Sequence, residues 1–311
     1  MSIEKVVVAG GGVLGSQIAL QTAFCGFDVT IWLRSEGSIE RTKPKLERFK
    51  GIYLNTLEQM KTDKSAYCRG FTSESEISDD EIDILKEDVI AGFDNITLTT
   101  SYEDAAEDAD LIIEAIAEDP EQKIAFYKEL AKYMPEKTIL VTNSSTLLPS
   151  TFAEYTGRPE KYLALHFANS IWANNTAEIM GHAGTEQEYF DEIVQFAQDI
   201  RMVPLPLKKE QPGYILNSML VPFLSAAEAL YATEVAEPEV IDKTWMLATG
   251  SPHGPFRILD IVGLETAYNI VIMDPEVQNP DSVQAKIAAK LKEKIDAGKT
   301  GINAGEGFYK Y

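Results

Sequence analysis

Cysteine is scarce in this 311-residue chain, which holds two, Cys25 and Cys68. Two thiols make neither a disulfide framework nor a cysteine metal site. Cys25 falls on the apolar side of the first helical pattern, where a small buried hydrophobe fits. Positive charge is scarce too: Lys and Arg number 28 against 49 Asp and Glu, a formal net charge of −21. That balance argues against nonspecific binding to nucleic acid or to an acidic membrane face. Long hydrophobic runs are missing, since the most apolar stretch, Ile215 to Ala232, is broken by Asn217, Pro222 and Glu228. It reads as a core or interface helix and not a membrane span. The first β-rich run begins so near Met1 that no signal or transit peptide is expected. The expectation is a soluble, cytoplasmic protein of two domains that acts on a small molecule.

What is present is alternation. Short β-rich runs at Val6–Ala9, Val29–Leu33, Ile96–Thr100, Leu111–Ile116, Ile139–Thr142 and Tyr162–Phe167 alternate with helical patterns near Leu14–Phe24, Glu121–Tyr133 and Glu186–Asp199. This predicts parallel βαβ units and a Rossmann-type doubly wound sheet, an α/β fold. Residues 38–91 are too long for one crossover and carry two amphipathic patterns, so they are expected to form an inserted helical arm. Its acidic run Glu74–Asp88 reads as a solvated helix face. A proline-punctuated link spans Met202–Pro212, and helical patterns follow at Tyr214–Thr233, Pro238–Ala248, Leu264–Met273 and Val283–Ala297. The domains are therefore placed at 1–205 and 206–311, the second smaller and all-helical.

Between the first strand and the first helix stands Gly10-Gly11-Gly12-Val13-Leu14-Gly15, with G-x-G-x-x-G spacing. A strand before it and an apolar-periodic helix after it are the context this motif requires. Gly10 suits a tight turn, Gly12 lets a pyrophosphate approach the backbone, and Gly15 lets helix and strand pack closely. Dinucleotide contacts are accordingly placed on Gly10, Gly11, Gly12, Val13, Leu14 and Gly15. A structural turn is the alternative.

Histidine is the third scarcity, with His166, His182 and His253 alone. His166 lies in the apolar strand Tyr162–Phe167, close to its carboxyl end, the edge where open α/β sheets hold ligands. Asn143-Ser144-Ser145 ends the preceding strand at that edge, and Glu178 opens a further extended run that could return beside the imidazole. Alcohol oxidation needs such a pair: a histidine to take the hydroxyl proton and a carboxylate to orient it and stabilise the imidazolium. His182 and His253 have no such company.

On these residues the chain resembles the L-3-hydroxyacyl-CoA dehydrogenase family over nearly its whole length. The glycine loop carries the resemblance, together with Glu114–Glu118 and Lys123, Asn143–Leu147, Leu165-His166-Phe167 with Asn169, and Glu178. It continues in Gln211–Asn217, Gly254-Pro255-Phe256 with Leu259-Asp260, and Gly305–Tyr311. The resemblance implies His166 as general base or acid and Glu178 as its partner. It implies Ser145 and Asn217 at the reacting oxygen or thioester carbonyl. Glu118, Lys123, Asn143, Asn169 and Lys299 would line the nicotinamide half of the cofactor site, and the helical domain would close the cleft and form a homodimer.

Three departures stand out. Where the family ends its second strand with an acid for the adenosine ribose, this chain has Leu33-Arg34-Ser35. Loss of that carboxylate beside an arginine predicts NADP in preference to NAD. The alternative is that Glu36 supplies the carboxylate. The segment Phe167–Ala177 lacks the family's Asn-Pro and gains Asn174-Asn175, which opens the question of chain length and of CoA itself. Ile302-Asn303-Ala304 stands as an insertion. In favour of CoA, residues 41–69 hold eight basic residues against three acids, although a solvated basic helix has the same composition. The expected reaction interconverts a short-chain 3-hydroxyacyl-CoA and its 3-keto form. The alternative is the same chemistry on a small non-CoA hydroxy acid, sugar acid or hydroxy-amine.

Overall fold

The computed structural model describes residues 3–311, so the first two residues, with the expectation about a leader, lie outside it. The chain divides into two compact units after Ile215.

The first unit runs β1 (Lys5–Ala9), α1 (Val13–Phe24), β2 (Asp28–Trp32), α2 (Glu36–Met60), α3 (Asp79–Asn95), β3 (Thr97–Thr99), α4 (Tyr102–Ala106) and β4 (Leu111–Glu114). It continues through α5 (Pro120–Leu130), β5 (Ile139–Thr142), β6 (Tyr162–Phe167), β7 (Thr176–Gly181), α6 (Gln187–Asp199) and β8 (Val203–Pro206). The eight strands form one sheet in the order β3-β2-β1-β4-β5-β6-β7-β8. All neighbours are parallel except β6 and β7. Strand side chains alternate between the two faces. Val6 and Val8 therefore enter one core with Ile18, Ile31 and Leu163, while Val7 and Ala9 enter another with Ile112, Phe126 and Tyr162. Burial on both faces explains why these strands read as continuous apolar runs.

The inserted arm is α2 and α3, packed on α1 around Tyr53, Phe71 and Val89. Tyr53 donates its hydroxyl proton to Gln21 Oε1 (2.8 Å), tying arm to sheet unit. Burial pushes the Cys25 thiol up to about 12, the behaviour of an inert packing residue.

The boundary differs from the expected 205/206. Val203–Pro206 is a strand, and its prolines explain why it was read as a link. Val203 and Leu207 donate their N–H groups toward β7, to Asn175 and Ile179. Pro204 and Pro206 occupy the alternate, outward positions, which suits the outer edge of a sheet.

The second unit holds α7 (Leu216–Ala232), α8 (Pro238–Thr249), α9 (Pro255–Val262), α10 (Leu264–Val271) and α11 (Val283–Asp296) around Leu224, Phe256, Leu264 and Leu291. Buried Asp260 on α9 accepts hydrogen bonds from the N–H groups of Phe308 and Tyr309 and from the Tyr311 hydroxyl. The closing glycine-aromatic motif is thus an anchor for the end of the chain.

Candidate active site

The glycine loop follows β1 as expected. Gly10 has φ +124°, and a Cβ there would meet the Ala115 carbonyl oxygen at 2.4 Å. A Cβ on Gly15 would lie 2.1 Å from the Gly10 carbonyl oxygen, so only glycine lets α1 start this close to the loop. Gly12 is different: a Cβ there meets nothing within 4 Å. Its glycine is what leaves the space before the start of α1 open, where helix N–H groups favour a phosphate.

Two cavities flank this loop, and Gly12 lines both. The larger, about 510 Å³, is lined by Leu33, Arg34, Ser38, Arg41, Thr42 and Lys45 on one side. Trp32, Tyr102 and Phe126 also line it, with ring centroids 4.4 and 5.1 Å from the Trp32 indole. Trp32 Nε1 is buried with no hydrogen-bond partner among the described residues. Among those residues no acid lines this cavity, in a protein of net charge −21. Arg41 donates to Ser38 Oγ (2.9 Å), Arg34 to Gln122 Oε1 (3.4 Å), and Lys45 to the Gly11 carbonyl (3.3 Å). Glu36 does not line it, and its Oε1 accepts from Thr100 Oγ1 (3.4 Å). An aromatic floor, an orphaned N–H, an open phosphate position and three cations fit the adenosine and phosphate end of a dinucleotide.

The smaller cavity, about 220 Å³, is lined by Gly12, Val13, Leu14, Gly15, Glu114, Glu118, Asn143, Ser144 and Ser145, among others. Glu118 caps the end of β5: its Oε1 accepts from the Ser145 N–H (2.7 Å) and from Ser144 Oγ (2.8 Å). Asn143 is buried and its Oδ1 accepts from the Phe167 N–H (3.0 Å), which joins the ends of β5 and β6.

His166 and Glu178 face each other across the antiparallel β6–β7 pair. Imidazole Nδ1 lies 3.0 Å from Glu178 Oε2, and both residues are buried. The other nitrogen, Nε2, lies 3.2 Å from Ser145 Oγ. With the proton on Nδ1 held by Glu178, Nε2 keeps a lone pair beside the serine hydroxyl. This arrangement can take a proton from an alcohol or return one to an alkoxide. Its Ser145 also lines the smaller cavity.

Several expected residues take other places. Lys123 is 1% exposed and bound to buried Glu114 (2.6 Å), with Glu118 Oε2 at 3.4 Å. It holds the carboxylates beneath the site instead of lining the cavity. Asn169 is an exposed residue of the β6–β7 loop, and its carbonyl accepts from Asn174 Nδ2 (2.8 Å). Asn217 stands in the first turn of α7, in the second unit; Lys299, in the same unit but after α11, pairs with Glu306 at 2.8 Å. The basic stretch of the arm is largely consumed internally. Lys43, Lys50, Lys61 and Lys64 pair with Glu40, Glu47, Asp83 and Glu76, while Arg41 and Lys45 line the cavity by the glycine loop.

Sequence reasoning gave no role to Glu114, Trp32 or Tyr214. The Tyr214 ring stacks on His166 with centroids 4.5 Å apart and planes at 16°. An aromatic beside Gly213 was a signal, but nothing in the spacing pointed it at the histidine.

Two family models cover the chain: the 3-hydroxyacyl-CoA dehydrogenase NAD binding domain matches residues 5–211, and the C-terminal domain matches 213–311. The chain belongs to the 3-hydroxyacyl-CoA dehydrogenase family. Family membership makes it a dehydrogenase-type oxidoreductase that uses a nicotinamide cofactor. It is 30% identical to 3-hydroxybutyryl-CoA dehydrogenase of Clostridioides difficile, over 99% of both chains. It is also 30% identical to human mitochondrial hydroxyacyl-coenzyme A dehydrogenase, over 99% of this chain and 91% of the relative. A solved diketoreductase, described as catalysing reactions of dicarbonyl compounds, is 44% identical with a TM-score of 0.85 and full coverage of both chains. The (S)-3-hydroxybutyryl-CoA dehydrogenase of Ralstonia eutropha shares the fold at 23% identity, TM-score 0.76, over 100% and 99% of the chains.

Proposed function

We propose that the protein interconverts a short-chain 3-hydroxyacyl-CoA and the 3-ketoacyl-CoA, with His166 as general base or acid, Glu178 as its partner, and NADP(H) preferred over NAD(H). The observation that carries this reading is the Ser145–His166–Glu178 line at the carboxyl edge of the sheet. A bound nicotinamide would exchange the hydride. His166 Nε2 removes the hydroxyl proton in oxidation and returns it in reduction. Glu178 holds Nδ1–H and offsets the charge that forms on the ring. Ser145 Oγ is placed to hydrogen-bond the substrate oxygen as its charge develops, and Asn217 is assigned to the substrate by family resemblance.

The cofactor preference is supported by the larger cavity. Arg34 and Arg41 can bind a 2′-phosphate through planar donor forks, and Leu33 supplies no carboxylate to repel it. Val13, Leu14, Glu118 and Asn143 would hold the nicotinamide half.

A second reading, a small dicarbonyl or hydroxy acid without CoA, is favoured by the ion pairs that occupy four arm lysines and by the diketoreductase likeness. One set of assays separates them: NADPH and NADH absorbance followed with acetoacetyl-CoA, acetoacetate and a neutral 2,4-diketone. The first reading expects turnover of the thioester with NADPH ahead of NADH. Turnover confined to the free compounds would replace it with the second, and a clear NADH preference would overturn the NADP assignment. Leu33→Asp is expected to move selectivity toward NADH.

We further propose a cytoplasmic location and a homodimer formed through the helical unit, the dimer supported by exposed Met219, Val235, Leu247 and Met273, which are 63–80% accessible. Sedimentation equilibrium giving a monomer at micromolar concentration would contradict it.

A further inference from the structure

We propose that Gly213–Ile215 clamps the acid–base pair, with Tyr214 a positioning residue for His166 and Ile215 for Glu178. This rests on the assignment of His166 and Glu178 above. Three contacts from consecutive residues converge on the pair. The Tyr214 ring lies flat on the imidazole, centroids 4.5 Å apart at 16°. Its hydroxyl donates to the Ser144 carbonyl (2.7 Å), one residue before the serine that faces Nε2. The next N–H, of Ile215, donates to Glu178 Oε1 (2.9 Å) while Oε2 faces Nδ1.

Each contact removes one freedom. The stacked ring stops the imidazole from tilting toward the face that Tyr214 covers. Two partners on two carboxylate oxygens fix the rotation of the Glu178 headgroup. The tyrosine hydroxyl holds the Asn143–Ser145 loop against the same ring, so Ser145, His166 and Glu178 share one support. The aromatic face is also a favourable neighbour for the imidazolium formed during oxidation.

The backbone shows that this placement is held against its own preference. Gly213 and Tyr214 have φ of +77° and +54°, and a left-handed tyrosine persists only where its surroundings over-determine it. Burial, with Glu118, Glu178 and Glu114 nearby, keeps the Tyr214 phenol well above its usual range. It therefore remains a donor throughout the working pH range.

The test compares Tyr214→Phe, Tyr214→Leu and His166→Asn in the full chain, by kcat, KM, cofactor affinity and NMR of the imidazole protons. Tyr214→Phe keeps the ring but loses the hydroxyl's bond to the Ser144 carbonyl, and is expected to fall about three- to fivefold in kcat, less than Tyr214→Leu. Tyr214→Leu is expected to lose about tenfold or more in kcat, with KM and cofactor affinity unchanged. Equal kcat in the Leu and Phe variants, or a loss confined to KM, would overturn the clamp. With three histidines in the chain, the His166 resonances are assignable from the His166→Asn spectrum. A stacked ring shifts them upfield in wild type and in Tyr214→Phe, and unshifted resonances overturn the clamp even if the Leu variant fails to fold. Full activity in His166→Asn would instead remove the acid–base assignment itself.

Discussion

His166→Gln is expected to lower kcat by about 10²- to 10⁴-fold, the range that a positioned general acid–base group contributes. The glutamine can fill the imidazole space and still reach Glu178, but it has no basic nitrogen at the Nε2 position, 3.2 Å from Ser145 Oγ. Cofactor affinity should be retained, because the glycine loop and its larger cavity do not include His166. Glu178→Gln is a milder test of the same pair. Its amide oxygen can still accept from Nδ1–H, but its NH2 group then faces the Ile215 N–H and it no longer offsets the imidazolium charge, so a clear loss, smaller than that of His166→Gln, is expected. Steady-state turnover with a saturating cofactor reads both. A His166→Gln enzyme within twofold of wild type would leave the pair without a role in the chemistry.

Lys123→Met is expected to destabilise the first unit by about 3–5 kcal/mol, the cost of stranding a buried carboxylate when its partner is removed. Glu114 is fully buried and accepts from Lys123 Nζ (2.6 Å), Tyr127 Oη (2.6 Å), Thr142 Oγ1 (2.7 Å) and the Ile116 N–H (2.9 Å). Tyr127 is an obligatory donor, since burial and the adjacent Glu114 push its phenol well above the ordinary range. Removing the ammonium leaves a charge surrounded by neutral donors. For a domain of this size the melting temperature should fall by on the order of 10 °C. Lys123→Met combined with Glu114→Gln should recover part of the loss, because the stranded charge is gone. Thermal denaturation followed by circular dichroism measures this, and an unchanged single variant would contradict the description of Lys123 as a buried counter-ion.

These two sites show what was legible in the sequence. His166 and Glu178 could be paired because strand Tyr162–Phe167 and the run after Asn175 were both recognisable, and a return strand is a geometric commitment. The glycine loop was legible because its neighbours supply the strand and helix it requires. Lys123 was not, since its partner sits nine positions earlier at the end of β4, and a lysine on a helix looks exposed until the strand beneath it is placed. The arm's positive charge was legible in the sequence, but its pairing was not. Asp83 and Glu76 lie far along the chain from Lys61 and Lys64, so local composition counted cations that the fold neutralises. Strand β8 was hidden by prolines that an outer edge tolerates. Helix α9 went unnoticed because Gly254-Pro255 at its start and Gly263 after it punctuate the sequence as a loop does.

The β6–β7 hairpin also separates the proton-transfer pair from the loop that joins its two strands. Strand register sets His166 opposite Glu178, so the loop of residues 168–175 can change at Ala168, Asn169, Ala173 and Asn174 without moving either, while Ile171 and Asn175 are buried and Trp172 packs on Tyr53. That loop is also where the chain departs from its family. Substitution at those four positions is expected to change substrate range while the proton-transfer pair keeps its register. A laboratory library confined to Ala168, Asn169, Ala173 and Asn174 should yield altered substrate range more often than inactive enzyme.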